Sequence, residues 1–139
     1  MSQGAFLLSM TEYLFTYGTL QPGMAPRAIA PTVDKLTPVG PGSVRGMLYN
    51  LGRYPGAILD AECEKRIFGT VYEIPENAAI LRRLDEYEGF DPDLLESSLF
   101  IRVQESVSLE DGRDLICWIY VYSGKPDSSR LIVDGRFQK

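Results

Sequence analysis

The chain contains no histidine, and its only cysteines are Cys63 and Cys117. Without imidazole it lacks the commonest metal ligand and the usual catalytic base, so Ser-His-Asp and Cys-His machinery and His-based zinc sites are excluded. Two cysteines this far apart make neither a zinc site nor a disulfide framework, and a reduced, cytoplasmic setting is the simplest expectation. Long apolar runs are also missing. The cluster Ala5 to Leu8 is too short for a signal h-region or a membrane span, and Met1 to Met10 has no basic flank. Positive charge is in deficit, with 14 Lys and Arg against 19 Asp and Glu for a net charge of −5, so no overall field draws the protein to nucleic acid or an anionic membrane. Any acid/base chemistry therefore falls to carboxylates, tyrosines or lysines, with no metal and no cofactor expected.

What is present is the composition of a globular chain: 139 residues, 45% hydrophobic and 24% charged, enough for one core. No repeat, low-complexity tract or long linker divides it. A flexible N-terminal extension over residues 1–11 and a single domain over 12–139 are the expected organisation. Glu12 to Tyr17 reads as a strand rich in aromatics, broken at Gly18 and followed by the turn-prone Gln21-Pro22-Gly23. Met24 to Gly42 is dense in Pro and Gly and shows no clean element. Ser43 to Leu51 and Ile67 to Ile74 read as strands, with the turn Gly52 to Gly56 and a short apolar run, Ala57 to Leu59, between them. The period then changes: Pro75 suits a first helical turn, Ile80, Leu81 and Leu84 fall at helical spacing, and Gly89 is placed to cap a helix over Pro75 to Glu88. Asp111-Gly112, between the β-rich runs Leu99 to Val107 and Asp114 to Tyr122, is a hairpin signal. In the second arm Tyr120 and Tyr122 share a face with Ile116 and Trp118, opposite Cys117 and Ile119, so both faces are buried or one lines a cavity.

At 100° per residue, Leu81, Leu84 and Glu88 share one helical face while Glu86 projects away from it. A carboxylate on an apolar stripe, at the negative end of a helix dipole, is expected to hold its proton more tightly than usual, as a general acid or base requires. The competing expectation pairs Glu88 with Arg102 or Arg82. Tyr17-Gly18-Thr19-Leu20 ends the first strand in a glycine turn whose free N–H groups could hold a carboxylate or an oxyanion, and glycine there allows close approach. Tyr54-Pro55-Gly56 and Tyr120 read as an ordinary turn and a core residue when each is taken alone.

Taken in order, these strings are more specific. Tyr17-Gly18-Thr19-Leu20, Gly46-Met47-Leu48-Tyr49, Tyr54-Pro55-Gly56, Gly69-Thr70-Val71-Tyr72, Leu84-Asp85-Glu86-Tyr87-Glu88-Gly89 and Trp118-Ile119-Tyr120 resemble the γ-glutamylcyclotransferase-like superfamily, which includes the avirulence-induced-gene-like proteins. The resemblance implies an α+β fold, a small mixed β-barrel flanked by helices, and conversion of a γ-glutamyl amine or peptide to 5-oxoproline and free amine. It maps the family's catalytic Glu onto Glu88 and its glycine loop onto Tyr17, Gly18, Thr19 and Leu20, with Tyr54 and Tyr120 as further substrate-binding residues. The Tyr-Gly-Thr-Leu form lacks the extra Asn of the Tyr-Gly-Ser-Asn-Leu form found in some branches, so the substrate of those branches does not carry over. A small-molecule partner is expected. The alternatives are a non-catalytic module that binds a glutamate-like molecule, and a structural or partner-binding domain in which Glu88 is merely paired.

Overall fold

The computed structural model describes residues 11–137; the extension expected over 1–11 falls, except for Thr11, outside the described residues. β1 (Glu12–Thr16) lies between β4 (Arg66–Ile74), to which it is antiparallel, and β6 (Asp114–Tyr122), to which it is parallel. β6 returns antiparallel to β5 (Phe100–Leu109) through the Asp111-Gly112 hairpin, where Gly112 has φ +95°. β5 meets β2 (Thr37–Asn50) at Gly42 and Ser43, and β2 pairs back to β4, so five strands close a small mixed barrel. β3 (Pro55–Leu59) and β7 (Leu131–Ile132) add to the far half of β2. Two helices, α1 (Ala30–Val33) and α2 (Ala78–Glu88), flank the barrel, giving the expected α+β architecture. Among the described residues, no helix is long and apolar enough to cross a membrane.

Strand alternation sorts the apolar side chains into two cores. Phe15, Val44, Leu48, Ile67, Val71, Val107, Cys117 and Ile119 form one cluster, drawn from all five barrel strands. The opposite faces of β1, β4, β5 and β6 supply Leu14, Tyr72, Ile74, Phe100 and Tyr120, which pack with Ile29 and Val33 around α1 and with Ile80 and Leu84 of α2. The helices are thus held by the barrel's outer face, and the last turn of α2 is carried to the ends of β1 and β6.

Two expectations need correction. The segment Met24 to Gly42 contains α1 and the first half of β2, which begins at Thr37 despite Pro38, Gly40 and Pro41. From Thr37 to Gly40 the strand pairs with β4, with an irregularity between Pro38 and Gly40, and at Pro41 the β5 side asks only for an acceptor, the Pro41 carbonyl taking the Glu110 N–H at 3.1 Å, so prolines that cannot donate are tolerated on this stretch. The second correction is the start of α2. Pro75 lies outside the helix, and Asn77 is its N-cap, the side-chain oxygen accepting from the Ala79 N–H at 3.0 Å. The other end is as expected, with Gly89 in the left-handed conformation at φ +72° and its N–H returned to the last carbonyls of the helix.

Candidate active site

A cavity of about 160 Å³ lies where the Tyr17–Leu20 loop, the end of α2, β6 and the β2–β3 turn converge. Glu88, Tyr17, Gly18, Thr19, Leu20, Tyr54 and Tyr120, the seven residues singled out in the sequence, all line it. Pro55 and Tyr87, which belong to the quoted motifs without having been singled out as site residues, and Phe15, Thr16, Leu99 and Phe100, which no motif includes, complete the wall. Thr16 is 5% exposed, and its hydroxyl has no hydrogen-bond partner among the described residues. A larger, more open groove runs behind α2 past Leu81, Asp85 and Arg102, and Glu88 is not part of it.

Glu88 reaches the cavity because of helix phase. Leu84, one turn earlier, is completely buried, whereas the Glu86 side chain is 65% exposed and sits 4.0 Å from Arg83. Burial pushes the Glu88 carboxyl up from 4.5 to about 7. No ion pair reaches it among the described residues. Arg102, which the sequence offered as a partner, instead holds Asp85 with two bonds, Nε to Oδ1 at 2.7 Å and a terminal guanidinium nitrogen to Oδ2 at 3.1 Å. Glu88 is therefore a desolvated carboxyl with no cation paired to it among the described residues; burial first of all holds the Tyr17 and Tyr120 hydroxyls protonated, followed at Tyr120 by its bond to Asp85, with the charge of Glu88 adding to both.

The glycine loop is built by its neighbours. An added Cβ on Gly18 would lie 2.8 and 2.9 Å from Pro55 Cγ and Cδ, closer than such atoms approach, and Gly18 is not among the glycines with positive φ. Glycine is required there by the packing of the loop on β3, not by an unusual backbone angle. The Gln21 side-chain amide donates to the Gly18 carbonyl at 2.7 Å, and the Gln21 N–H donates to the Thr19 carbonyl at 2.8 Å. In a planar trans peptide the N–H opposes the carbonyl, so these bonds direct the N–H groups of Thr19 and Leu20 away from Gln21. Among the described residues, no hydrogen bond uses the N–H of Gly18, Thr19 or Leu20. Gln21, read from the sequence only as part of a turn, fixes this row of donors.

Tyrosines tie the loop to the sheet. The Tyr17 hydroxyl donates to the Tyr120 carbonyl and accepts from the Ala57 N–H at 3.3 Å. The Tyr120 hydroxyl donates to Asp85 Oδ1 at 2.6 Å. The Arg102 guanidinium, besides holding Asp85, lies 4.2 Å from the centre of the Trp118 ring, whose N–H donates to Glu12 at 3.0 Å. These contacts join β1, β5, β6 and α2 beneath the cavity.

A small closed barrel, flanked by helices and carrying a lone carboxyl opposite a Tyr-Gly-Thr-Leu loop, defines the γ-glutamylcyclotransferase-like class of α+β proteins. The family model described as gamma-glutamyl cyclotransferase, AIG2-like, matches residues 14–139, and the chain belongs to that family. It is 29% identical over 126 residues to a Methanocaldococcus jannaschii protein named "Putative gamma-glutamylcyclotransferase", covering 88% of this chain and 92% of that protein. Among solved structures, an AIG2-like protein from Mus musculus superposes with a TM-score of 0.70 at 22% identity, covering 92% of this chain and 88% of the mouse chain. YkqA from Bacillus subtilis superposes at 0.64 and 22% identity over 92% of this chain, which spans 40% of the YkqA chain. The structural likenesses concern the fold.

Proposed function

We propose that the protein is a γ-glutamylcyclotransferase that converts a γ-glutamyl amine or peptide to 5-oxoproline and the free amine, with Glu88 as its acid/base group. The observation that carries this reading is the isolated Glu88 carboxyl, half-buried at a cavity wall and desolvated enough to exchange a proton near neutral pH. In the proposed step Glu88 takes a proton from the substrate's α-ammonium. The freed amine attacks the γ-carbonyl carbon and the lactam C–N bond forms; as the amide bond to the leaving amine breaks, Glu88 returns its proton to the leaving nitrogen, and the second proton shed by the new lactam nitrogen follows it, so that the amine departs as its ammonium ion. No water is consumed and no cofactor is needed.

The N–H groups of Gly18, Thr19 and Leu20 support the reading as a donor row for the substrate's α-carboxylate or for the oxyanion formed at the γ-carbon. Folding the γ-glutamyl group so that amine and carbonyl meet could lower the barrier by up to about 7–11 kcal/mol, the range for well-oriented intramolecular reactions. Measuring 5-oxoproline release from a panel of γ-glutamyl amines and dipeptides tests the proposal. Thermal stabilisation by these compounds without release of 5-oxoproline would show a binding module instead, and the absence of both effects would leave a structural domain.

A further inference from the structure

The Tyr120 hydroxyl is a single donor with lone pairs to spare, and its donor is already committed to Asp85 Oδ1 at 2.6 Å. Asp85 is held in place for this by the two bonds from Arg102, whose own position is set by Trp118 at 4.2 Å and Phe90 at 5.6 Å. What Tyr120 can still offer to the cavity is an acceptor, on the wall that also carries Glu88. The Tyr17 donor is committed in the same way, to the Tyr120 carbonyl. Beside Glu88, Tyr17 and Tyr120 are thus set to accept, while the wall's uncommitted donors are the loop N–H groups and the hydroxyls of Thr16, Thr19, Tyr54 and Tyr87. Among the described residues no lysine or arginine lines the cavity. Such a division suits a zwitterion, with its cation on the Glu88–Tyr120 side and its anion on the loop.

We propose that Asp85, held by Arg102, is a positioning residue: by taking the Tyr120 hydroxyl proton it leaves the Tyr120 oxygen as an acceptor that recognises the α-ammonium of a γ-glutamyl compound. This rests on the γ-glutamyl reading of the cavity. Asp85 touches no substrate; it acts by deciding which way the phenol donates. Without it the Tyr120 hydroxyl is free to turn its proton toward Glu88 and meets the ammonium as a competing donor.

The test compares two ligands that differ only in the ammonium, γ-L-glutamyl methylamide and glutaric acid monomethylamide. Dissociation constants are measured by calorimetry in the Glu88→Gln background, where neither is consumed, with and without Asp85→Asn or Tyr120→Phe. The expected result is that the preference for the ammonium-bearing ligand falls about tenfold or more in either variant, as for a hydrogen bond to a charged group, and falls no further when the two are combined. Tyr120→Phe leaves the Asp85–Arg102 pair intact and reads the phenol oxygen even if Asp85→Asn folds poorly. An equal loss of affinity for both ligands, an unchanged preference, or no preference before mutation overturns the proposal. Release of 5-oxoproline from γ-L-glutamyl methylamide by the unmodified protein is followed in parallel. Its absence, with the ligand preference present and sensitive to Asp85, would remove the cyclotransferase step and leave the recognition role standing.

Discussion

Replacing Glu88 by Gln keeps the shape and polarity of the side chain and removes both its charge and its ability to take up a proton. Two effects follow, and they have opposite value to the protein. The carboxyl is pushed from 4.5 to about 7 by burial, and each tenfold change in proton affinity is worth about 1.4 kcal/mol, so the ionised form carries a folding penalty of up to about 3 kcal/mol. The sign follows from proton linkage. Between about pH 4.5 and 7 the folded protein keeps the Glu88 proton while the unfolded chain has released it, so stability is lost as pH rises through that window. The amide carries no such penalty. Melting temperatures of the two proteins should coincide near pH 4 and separate as pH rises, with Glu88→Gln several degrees the more stable at pH 8.

Turnover should move the other way, falling at least about a hundredfold, the lower end of what a positioned acid/base group contributes. In the unmodified protein the proposed activity's kcat/KM should rise with pH through about 7 as Glu88 ionises, and this limb should be missing from the residual activity of the variant. Glu86→Gln is the control, because its side chain is 65% exposed and its contact with Arg83 is a long surface pair; both turnover and stability should change little. Melting curves from pH 4 to 8 and kcat/KM over the same range decide the matter. A Glu88→Gln protein less stable than the parent at pH 8 would mean that the carboxylate is paired or solvated. Turnover lost in Glu86→Gln and kept in Glu88→Gln would overturn the catalytic assignment.

Gly18→Val should force the loop off β3, since the new Cβ would fall 2.8 Å from Pro55 Cγ on a ring that cannot bend away; the expected cost is about 1–3 kcal/mol by urea titration, with loss of ligand-induced stabilisation. A variant with parental affinity and stability would show that the loop does not form the site. Leu84→Ala removes a completely buried side chain one turn before Glu88 and should cost about 2–5 kcal/mol, and its kcat/KM should fall as the end of α2 loses its support. Chelators and iodoacetamide should leave turnover intact: among the described residues no cluster of carboxylates and cysteines is arranged for a metal, and burial pushes the Cys117 thiol up to about 12, leaving partly exposed Cys63, which is not part of the cavity wall, as the site of alkylation. Loss of activity on chelation, restored by zinc or manganese, would refute the metal-free step.

The fold was legible where local chemistry and tertiary packing agree. Alternating aromatics and β-branched residues mark β5 and β6, Asp111-Gly112 marks their turn, and Ile80 and Leu84 with Gly89 fix the phase and the end of α2. It was illegible where tertiary pairing overrides a local signal. Pro38, Gly40 and Pro41 argue against a strand, yet β4 supplies one side of the pairing and little is asked of the other. Asn77, two residues after Pro75, outcompetes it as the start of α2 because its side chain satisfies a helix N–H that Pro75 cannot. The last residues gave no pattern at all, and β7 exists because β2 offers Leu48 and Tyr49 as partners.

The candidate site was legible in its residues and not in its wiring. Helix spacing places Asp85 and Glu88 three residues apart on α2, so an arginine arriving from β5 has two carboxylates within plausible reach, and nothing in the sequence says which it takes. The choice decides the chemistry. An Arg102 bound to Glu88 would favour the ionised form and pull its proton affinity down, away from the range useful near neutral pH. Bound to Asp85, Arg102 satisfies a carboxylate that already accepts from Tyr120, and burial alone sets Glu88. The ring centres of Trp118 and Phe90 lie 4.2 and 5.6 Å from the guanidinium that binds Asp85, so the aromatic residues of β6 and of the loop after α2 help hold it on the carboxylate it neutralises and leave the other free to carry a proton.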